Sequence, residues 1–205
     1  MESAPSRTAM FAAVSRGLFR LETPSPWVLD DVLALVLVGP VWQQLRDQFD
    51  PLFPGPVRRE ARAAVCTRSR YAEDRLAADG FTQYVILGAG LDSFAWRRPD
   101  LLGSLTVFAA AAPGSEVVFS YRAEDCVLDD VGTEYARTYT PIAASVGEPL
   151  QPGWPVSEIE RLISRCGLKV VDHPARADLQ QRYFAGRADG LRPCTFETLV
   201  AARVT

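Results

Sequence analysis

The residues best suited to chemistry form a short glycine turn. Residues 84–87 are apolar and include two β-branched side chains, a composition typical of a strand covered on both faces. Gly88, Ala89 and Gly90 follow this run, and Asp92 lies just beyond them. Because glycine lets a ligand approach bare backbone, the pattern predicts a site for a nucleotide-type cofactor. A turn that ends a strand for steric reasons alone is the alternative.

A longer string around this turn resembles a known family motif. Residues 83–93 read QYVILGAGLDS, and together with Trp96 and Arg97 they resemble the first cofactor-binding motif of the leucine carboxyl methyltransferase-like O-methyltransferases. This class I family uses S-adenosylmethionine. Further strings resemble the same family in the same order along the chain. They are residues 6–9 with Arg16, residues 26–31, residues 68–71 with Asp74, residues 112–119, residues 147–149 and residues 182–191.

The resemblance implies an α/β fold with the Rossmann-like sheet of class I methyltransferases. Residues 1–80 would form an N-terminal helical cap and residues 81–205 the α/β core, in a single domain. In the family, the strand after the glycine loop ends in an acidic residue that holds the cofactor ribose, but residues 105–108 run into an alanine segment without a carboxylate. Residues 91–116 have room for about one crossover of roughly 30 residues, where the family has several. The sequence therefore predicts a family member shortened in its middle.

Hydrophobic periodicity and turn residues predict the remaining elements. Helices are expected over residues 9–18, 30–38, 57–78 and 156–163. Strands are expected over residues 116–121, 168–171 and 196–204, and the last of these would close the sheet. At the shortened middle, residues 105–108 form a second strand in one interpretation, and residues 101–112 end a helix in the other.

The resemblance also assigns the cofactor-binding residues. Gly88, Ala89 and Gly90 would let the methionine part of S-adenosylmethionine lie against the strand end. Arg68 corresponds to a family arginine that pairs with the cofactor carboxylate, a task that suits a planar guanidinium, although a solvated helix face is its alternative role. Asp92 belongs to the cofactor motif, and its position also favours capping of the next helix.

The expected reaction requires few acid–base groups. Methyl transfer from a sulfonium needs proximity and alignment, so a carboxylate acceptor requires no general base, whereas a hydroxyl acceptor does. His173, the single histidine, is interpreted as a surface turn residue, so no catalytic residue is named. We expect O-methyl transfer to a small-molecule carboxylate or hydroxyl. The alternative is a methyltransferase-derived protein without methyl transfer, either a binding or interaction module or a scaffold recruited to chemistry such as cyclisation.

Composition limits the kinds of partner, bound metal and cellular location that are expected. A net charge of −3 gives no argument for nucleic-acid binding. Four scattered cysteines and one histidine indicate neither a metal site nor a disulfide framework. The apolar run over residues 32–38 is too short to cross a bilayer, and no signal pattern precedes it, so a cytoplasmic location is expected. Sheet edges exposed by the missing strands could pair two chains in a homodimer.

Overall fold

Helices dominate the first part of the chain, and a small sheet lies in the second part. The computed structural model describes residues 6–81, 84–86, 90–102, 115–145 and 149–204. Contacts divide the chain into two units, Met1–Ala109 and Ala110–Thr205. The protein is a mixed α/β chain, whereas the single domain stays a prediction.

The described part of the first unit is helical. Its elements are α1 Arg7–Glu22, α2 Ala34–Val38, α3 Trp42–Phe49, a 3₁₀ turn Asp50–Leu52, α4 Gly55–Ala78, and the short helices α5 Phe94–Arg97 and α6 Pro99–Leu102. Helix α1 packs against α2 and α4 and buries Leu18 and Phe19. Gly17 permits the close approach of α2, because a Cβ atom there would lie 2.4 Å from Cγ of Leu35.

Local signals explain where α1 and α4 begin and end. The Ser6 hydroxyl accepts a hydrogen bond from the Ala9 N–H at 3.1 Å, which caps α1. Pro56 lies in the first turn of α4, where its missing N–H costs nothing. Gly80 follows α4 with a φ of 62°, a conformation that favours glycine. The helices predicted over residues 9–18 and 57–78 are confirmed.

Two predictions in the first unit are wrong. The helix expected over residues 30–38 begins only at Ala34, because the Asp31 side chain accepts the Leu33 N–H at 3.2 Å and pairs with Arg16. Residues 84–86 are not in a strand, since a strand requires a hydrogen-bonded neighbour that hydrophobicity alone cannot supply. Residue 87 lies outside the described residues. So does the shortened middle over residues 103–112, although residues 101–102 end α6.

The second unit contains a small antiparallel sheet. Its described elements are β1 Glu116–Tyr121, α7 Asp130–Ser145, α8 Val156–Arg165, β2 Leu168–Asp172, α9 Arg176–Leu179, a π turn Gln180–Phe184 and β3 Thr198–Val204. The strand order is β1-β3-β2, and β3 runs antiparallel to both neighbours. The strands predicted over residues 116–121, 168–171 and 196–204 and the helix α8 are confirmed. β3 is the central strand of the described sheet.

The core of the second unit forms where α8 covers β3. Ile159 and Ile163 lie one helical turn apart on α8 and pack with Val200 and Ala202 of β3. Ala201, which lies between Val200 and Ala202 and faces the other side of the sheet, is also fully buried, so β3 is covered on both faces. The sequence analysis did not predict α7. Among the described residues, no helix combines the length and apolar character needed to cross a membrane.

Candidate functional site

The glycine turn leaves main chain exposed just before a short helix. Gly90 is exposed and has a φ of 53°, in the left-handed region that favours glycine. One carboxylate oxygen of Asp92 accepts the N–H of Phe94, the first residue of α5, at 2.7 Å. Asp92 therefore contacts the start of this helix, as its position indicated, although the N-cap residue itself is Ser93. Gly88 and Ala89 lie outside the described residues.

Five polar residues with buried side chains lie next to this turn, and we call them the buried network. They are Arg16 on α1, Asp31 before α2, Glu73 on α4, and Ser93 and Arg97 at α5. The exposed fractions of the four charged side chains are 7%, 0%, 4% and 6% in chain order. Four separate segments of the chain thus meet at one desolvated polar cluster.

Asp31 is the centre of the hydrogen bonds in the buried network. Its Oδ2 accepts from Nε of Arg16 at 2.8 Å and from the Ser93 hydroxyl at 2.5 Å. Ser93 in turn accepts from Nε of Arg97 at 2.8 Å. The two terminal nitrogens of Arg97 donate to both carboxylate oxygens of Glu73, at 2.6 and 3.1 Å. This bidentate geometry is the strongest form of an arginine–carboxylate pair.

The charges of the buried network balance. Burial alone raises the pKa of Asp31, but the hydrogen bonds from Ser93 and Arg16 and the charge of Arg16 outweigh it and hold that pKa below its usual value. Burial also disfavours the charged form of Arg97, yet Glu73 raises the pKa of this arginine. Two cations thus face two anions in the buried network.

One contact joins the buried network directly to the glycine turn. Nη2 of Arg16 donates to the main-chain carbonyl of Leu91 at 2.6 Å. The ring of Tyr84, which precedes the turn, packs edge-on against Phe94 with ring centres 4.7 Å apart. Burial, followed by the charges of Asp92 and Glu73, raises the pKa of Tyr84. Arg16 therefore holds the main chain at Leu91, next to the exposed Gly90.

Arg68 lies half-buried on α4 in the neighbourhood of the buried network. Its charge acts on the buried thiol of Cys66, as do the charges of Arg16, Asp31 and Arg97. Burial is the main cause that raises the pKa of Cys66, so this thiol is protonated and inert. Arg68 and the described part of the glycine motif thus belong to one unit of the protein.

Sequence analysis missed the roles of the buried network. Arg16, Asp31 and Arg97 belong to the family-like strings, but no pattern assigned them to one another because they are far apart in sequence. Glu73 precedes Asp74 of another such string. The concentration of charged residues in otherwise helical and apolar segments was the available signal.

An apolar cleft lies elsewhere in the first unit. Its empty volume is about 360 Å³, including space open to solvent, and Phe11, Leu45 and Phe49 line it. Arg62 at this cleft donates to Glu22 and, at 2.6 Å, to Asp50. Residues of the glycine motif do not line the cleft, so we do not assign the cofactor to it.

In the second unit, the single histidine contacts a tyrosine. His173 follows β2, is half-buried, and its Nε2 lies 3.1 Å from the hydroxyl of Tyr121 at the end of β1. Both strands run antiparallel to β3, so their carboxyl ends lie at one end of the sheet. Among the described residues, no group of three or more His, Cys, Asp and Glu side chains could hold a metal ion.

Comparisons with known proteins point to methyltransferases. The family model described as leucine carboxyl methyltransferase matches residues 9–112, about half of the chain. The "Putative S-adenosyl-L-methionine-dependent methyltransferase YktD" of Bacillus subtilis (strain 168) is 25% identical over 224 residues, which cover 72% of this chain and 71% of YktD. No solved structure matches the chain significantly. The two matches indicate S-adenosylmethionine as the cofactor.

Both matches cover only part of the chain. The family match ends at residue 112. The alignment with YktD is longer than the 205 residues of this chain although it covers only part of them, so it contains gaps in this chain.

Proposed function

This chain belongs to the leucine carboxyl methyltransferase family, and we propose that it transfers a methyl group from S-adenosylmethionine to an oxygen atom of a small molecule. The observation that carries the proposal is the Gly90 turn, which is exposed at Gly90 and held at the neighbouring Leu91 by a hydrogen bond from the buried Arg16. A turn of this kind offers backbone for close approach of a ligand without reorganisation on binding.

The cofactor would be held by residues of the glycine motif and α4. Gly88, Ala89 and Gly90 would contact its methionine part through main chain, and Arg68 would pair with its carboxylate. Asp92 would act by shaping the turn, because one of its oxygens already accepts the Phe94 N–H. When bound, S-adenosylmethionine supplies an electrophilic methyl group on a sulfonium.

The surroundings of the turn favour a carboxylate acceptor over a hydroxyl. Asp31 and Glu73 are ion-paired, and the raised pKa of Tyr84 keeps its hydroxyl protonated at neutral pH. These groups therefore do not provide a general base. A carboxylate is already ionised, so its oxygen forms the new O–CH₃ bond directly while the C–S bond breaks and its electron pair goes to sulfur. The products are a methyl ester and S-adenosylhomocysteine.

The remaining proposals concern fold and partners. The three-stranded sheet of the second unit would be the end of a shortened Rossmann-like sheet of class I methyltransferases, in one domain with the first unit. A small-molecule substrate and a cytoplasmic location fit the composition. β1 and β2 are the outer strands of the described sheet, and pairing through such edges would give a homodimer. Light scattering tests this state, and a strict monomer would contradict it.

Calorimetric titration with S-adenosylmethionine and S-adenosylhomocysteine tests the cofactor site. We expect dissociation constants of about 1 μM to 1 mM, the range in which the Michaelis constants of enzymes usually lie. Gly90→Asp should abolish binding, because the new side chain would occupy the space beside Gly90 in which the cofactor is proposed to lie. Gly80→Asp is the matched control, since Gly80 is also exposed with a positive φ but lies at the end of α4.

Transfer itself needs a separate measurement. The protein is incubated with a panel of small carboxylates and phenols and with S-adenosylmethionine that carries a labelled methyl group. The labelled methyl esters and methyl ethers that form are then quantified. Esters alone would support the carboxylate proposal. Cofactor binding without product from any acceptor would favour a methyltransferase-derived protein that no longer transfers methyl groups, and absence of binding to the wild type would refute the proposed function.

A further inference from the structure

The buried network is more elaborate than a four-residue helix requires. The first N–H of helix α5 already donates to Asp92, and buried ion pairs often contribute no more to stability than apolar side chains of similar volume. Arg16 is 75 residues away from the Leu91 carbonyl that it contacts. The position of these contacts, against the turn after the glycine motif, therefore calls for a role at that turn.

We propose that Asp31 is a positioning residue for S-adenosylmethionine: it orients Arg16 and Ser93 so that they hold the main chain of the Gly90 turn in the shape that receives the cofactor. This inference rests on the proposed function, because the ligand is the same. Asp31 has no direct contact with the cofactor in this role and acts through its two hydrogen-bond donors.

The geometry of Arg16 explains how the carboxylate acts at a distance. One guanidinium donates from Nε to Asp31 at 2.8 Å and from Nη2 to the Leu91 carbonyl at 2.6 Å. The planar group keeps these donors in fixed relation, so the position of the carboxylate sets the position of the carbonyl. Ser93 supplies the second attachment, through its hydroxyl on the same oxygen of Asp31. The turn is thus held at two residues on either side of Asp92.

The neighbouring residue provides a matched control. Asp30 pairs with Arg20 at 2.5 Å, but this pair is on the surface, with exposed fractions of 54% for Asp30 and 30% for Arg20. Asp31→Asn and Asp30→Asn make the same chemical change one position apart. We expect Asp31→Asn to weaken S-adenosylmethionine binding by about 5- to 150-fold, the usual range for coupled sites, and Asp30→Asn to change it by less than about twofold.

Arg16→Lys separates positioning from folding. Lysine keeps the positive charge beside Asp31, but a single ammonium lacks the fork that also reaches the Leu91 carbonyl. We expect this variant to keep the far-UV circular dichroism of the wild type and to bind the cofactor more weakly. Hydrogen exchange of the amides over residues 90–97 should be faster in Arg16→Lys than in the wild type and Asp30→Asn, before any ligand is added.

The outcomes distinguish this inference from the proposed function. If the wild type binds S-adenosylmethionine and Arg16→Lys binds it equally well with unchanged exchange over residues 90–97, the positioning role is refuted and the proposed function stands. If the wild type itself does not bind, both fail. Weaker binding by Arg16→Lys and Asp31→Asn, with Asp30→Asn unchanged, supports the role, and should Asp31→Asn be unfolded, Arg16→Lys decides alone.

Discussion

Replacing Glu73 by glutamine should destabilise the protein strongly, because it removes the carboxylate that pairs through two hydrogen bonds with the buried Arg97 and leaves only Asp31, at 3.7 Å, as an anion near that cation. Both carboxylate oxygens of Glu73 accept hydrogen bonds from Arg97, at 2.6 and 3.1 Å, and the two side chains are 4% and 6% exposed. In Glu73→Gln one acceptor becomes an NH₂ group that faces a guanidinium donor. Breaking a buried pair in this way costs about 3–5 kcal/mol. Such a loss is a large part of a typical stability of about 5–15 kcal/mol.

The adjacent residue on α4 supplies the reference for this prediction. Asp74 pairs with Arg70 one helical turn away at 2.7 Å, but both side chains are well exposed, at 39% and 44%. Asp74→Asn should therefore cost only about 0.3–0.5 kcal/mol. Because each substitution exchanges a carboxylate for its amide on the same helix, the difference between the two variants reports burial of the pair.

Urea denaturation followed by far-UV circular dichroism measures both variants. The expected result is a much lower unfolding midpoint for Glu73→Gln, with a urea dependence of the unfolding free energy equal to that of the wild type. Adding Arg97→Gln should restore part of the loss, since the buried cation that has lost its bidentate partner is then removed, with a coupling of about 0.5–3 kcal/mol. If Glu73→Gln costs no more than Asp74→Asn, the argument from burial is refuted.

Three further predictions concern other groups. The pKa of Asp31 is lowered in the folded protein. Its contribution to stability is therefore fully present above the ordinary carboxyl pKa of about 3.9 and is lost as the pH falls through the folded pKa. Asp31→Asn should accordingly flatten the acid end of the pH–stability curve. Gly132→Ala should destabilise by about 1–3 kcal/mol instead of stabilising α7, because the new Cβ would lie 2.1 Å from Oγ1 of Thr195, and Thr195→Ala should relieve the cost in urea denaturation. Cys66 should react with iodoacetamide far more slowly than exposed Cys166 in mass-spectrometric labelling, and equal rates would contradict the burial of Cys66.

Local patterns in the sequence were sufficient for several elements. The proline in the first turn of α4 and the glycine after it marked that helix, and the spacing of Ile159 and Ile163 marked α8. These signals act within a few residues, so they do not depend on contacts with distant parts of the chain. The left-handed glycine at residue 90 and the contact of Asp92 with the start of α5 are local features of the same kind.

Contacts between residues that are far apart in sequence could not be predicted from local patterns. The hydrophobic pattern of residues 30–38 suits a helix, but the pairing of Asp31 with a residue 15 positions away overrides it. Ser93 reaches Asp31 across 62 positions, and Arg97 reaches Glu73 across 24. No spacing rule connects such residues, and only the packing of α1, α4 and α5 brings them together. For this reason the motif was predictable while the side chains behind it were not.

The distribution of ion pairs in the first unit supports a specific role for the buried network. The pair of Arg20 and Asp30 remains in water, where it adds little to stability. One residue further on, Asp31 gives up its hydration entirely, a cost that ordinary folding would avoid with an apolar side chain. At this position Arg16 also reaches the main-chain carbonyl of Leu91 in the glycine turn. The positioning role proposed for Asp31 accounts for a buried carboxylate at this place.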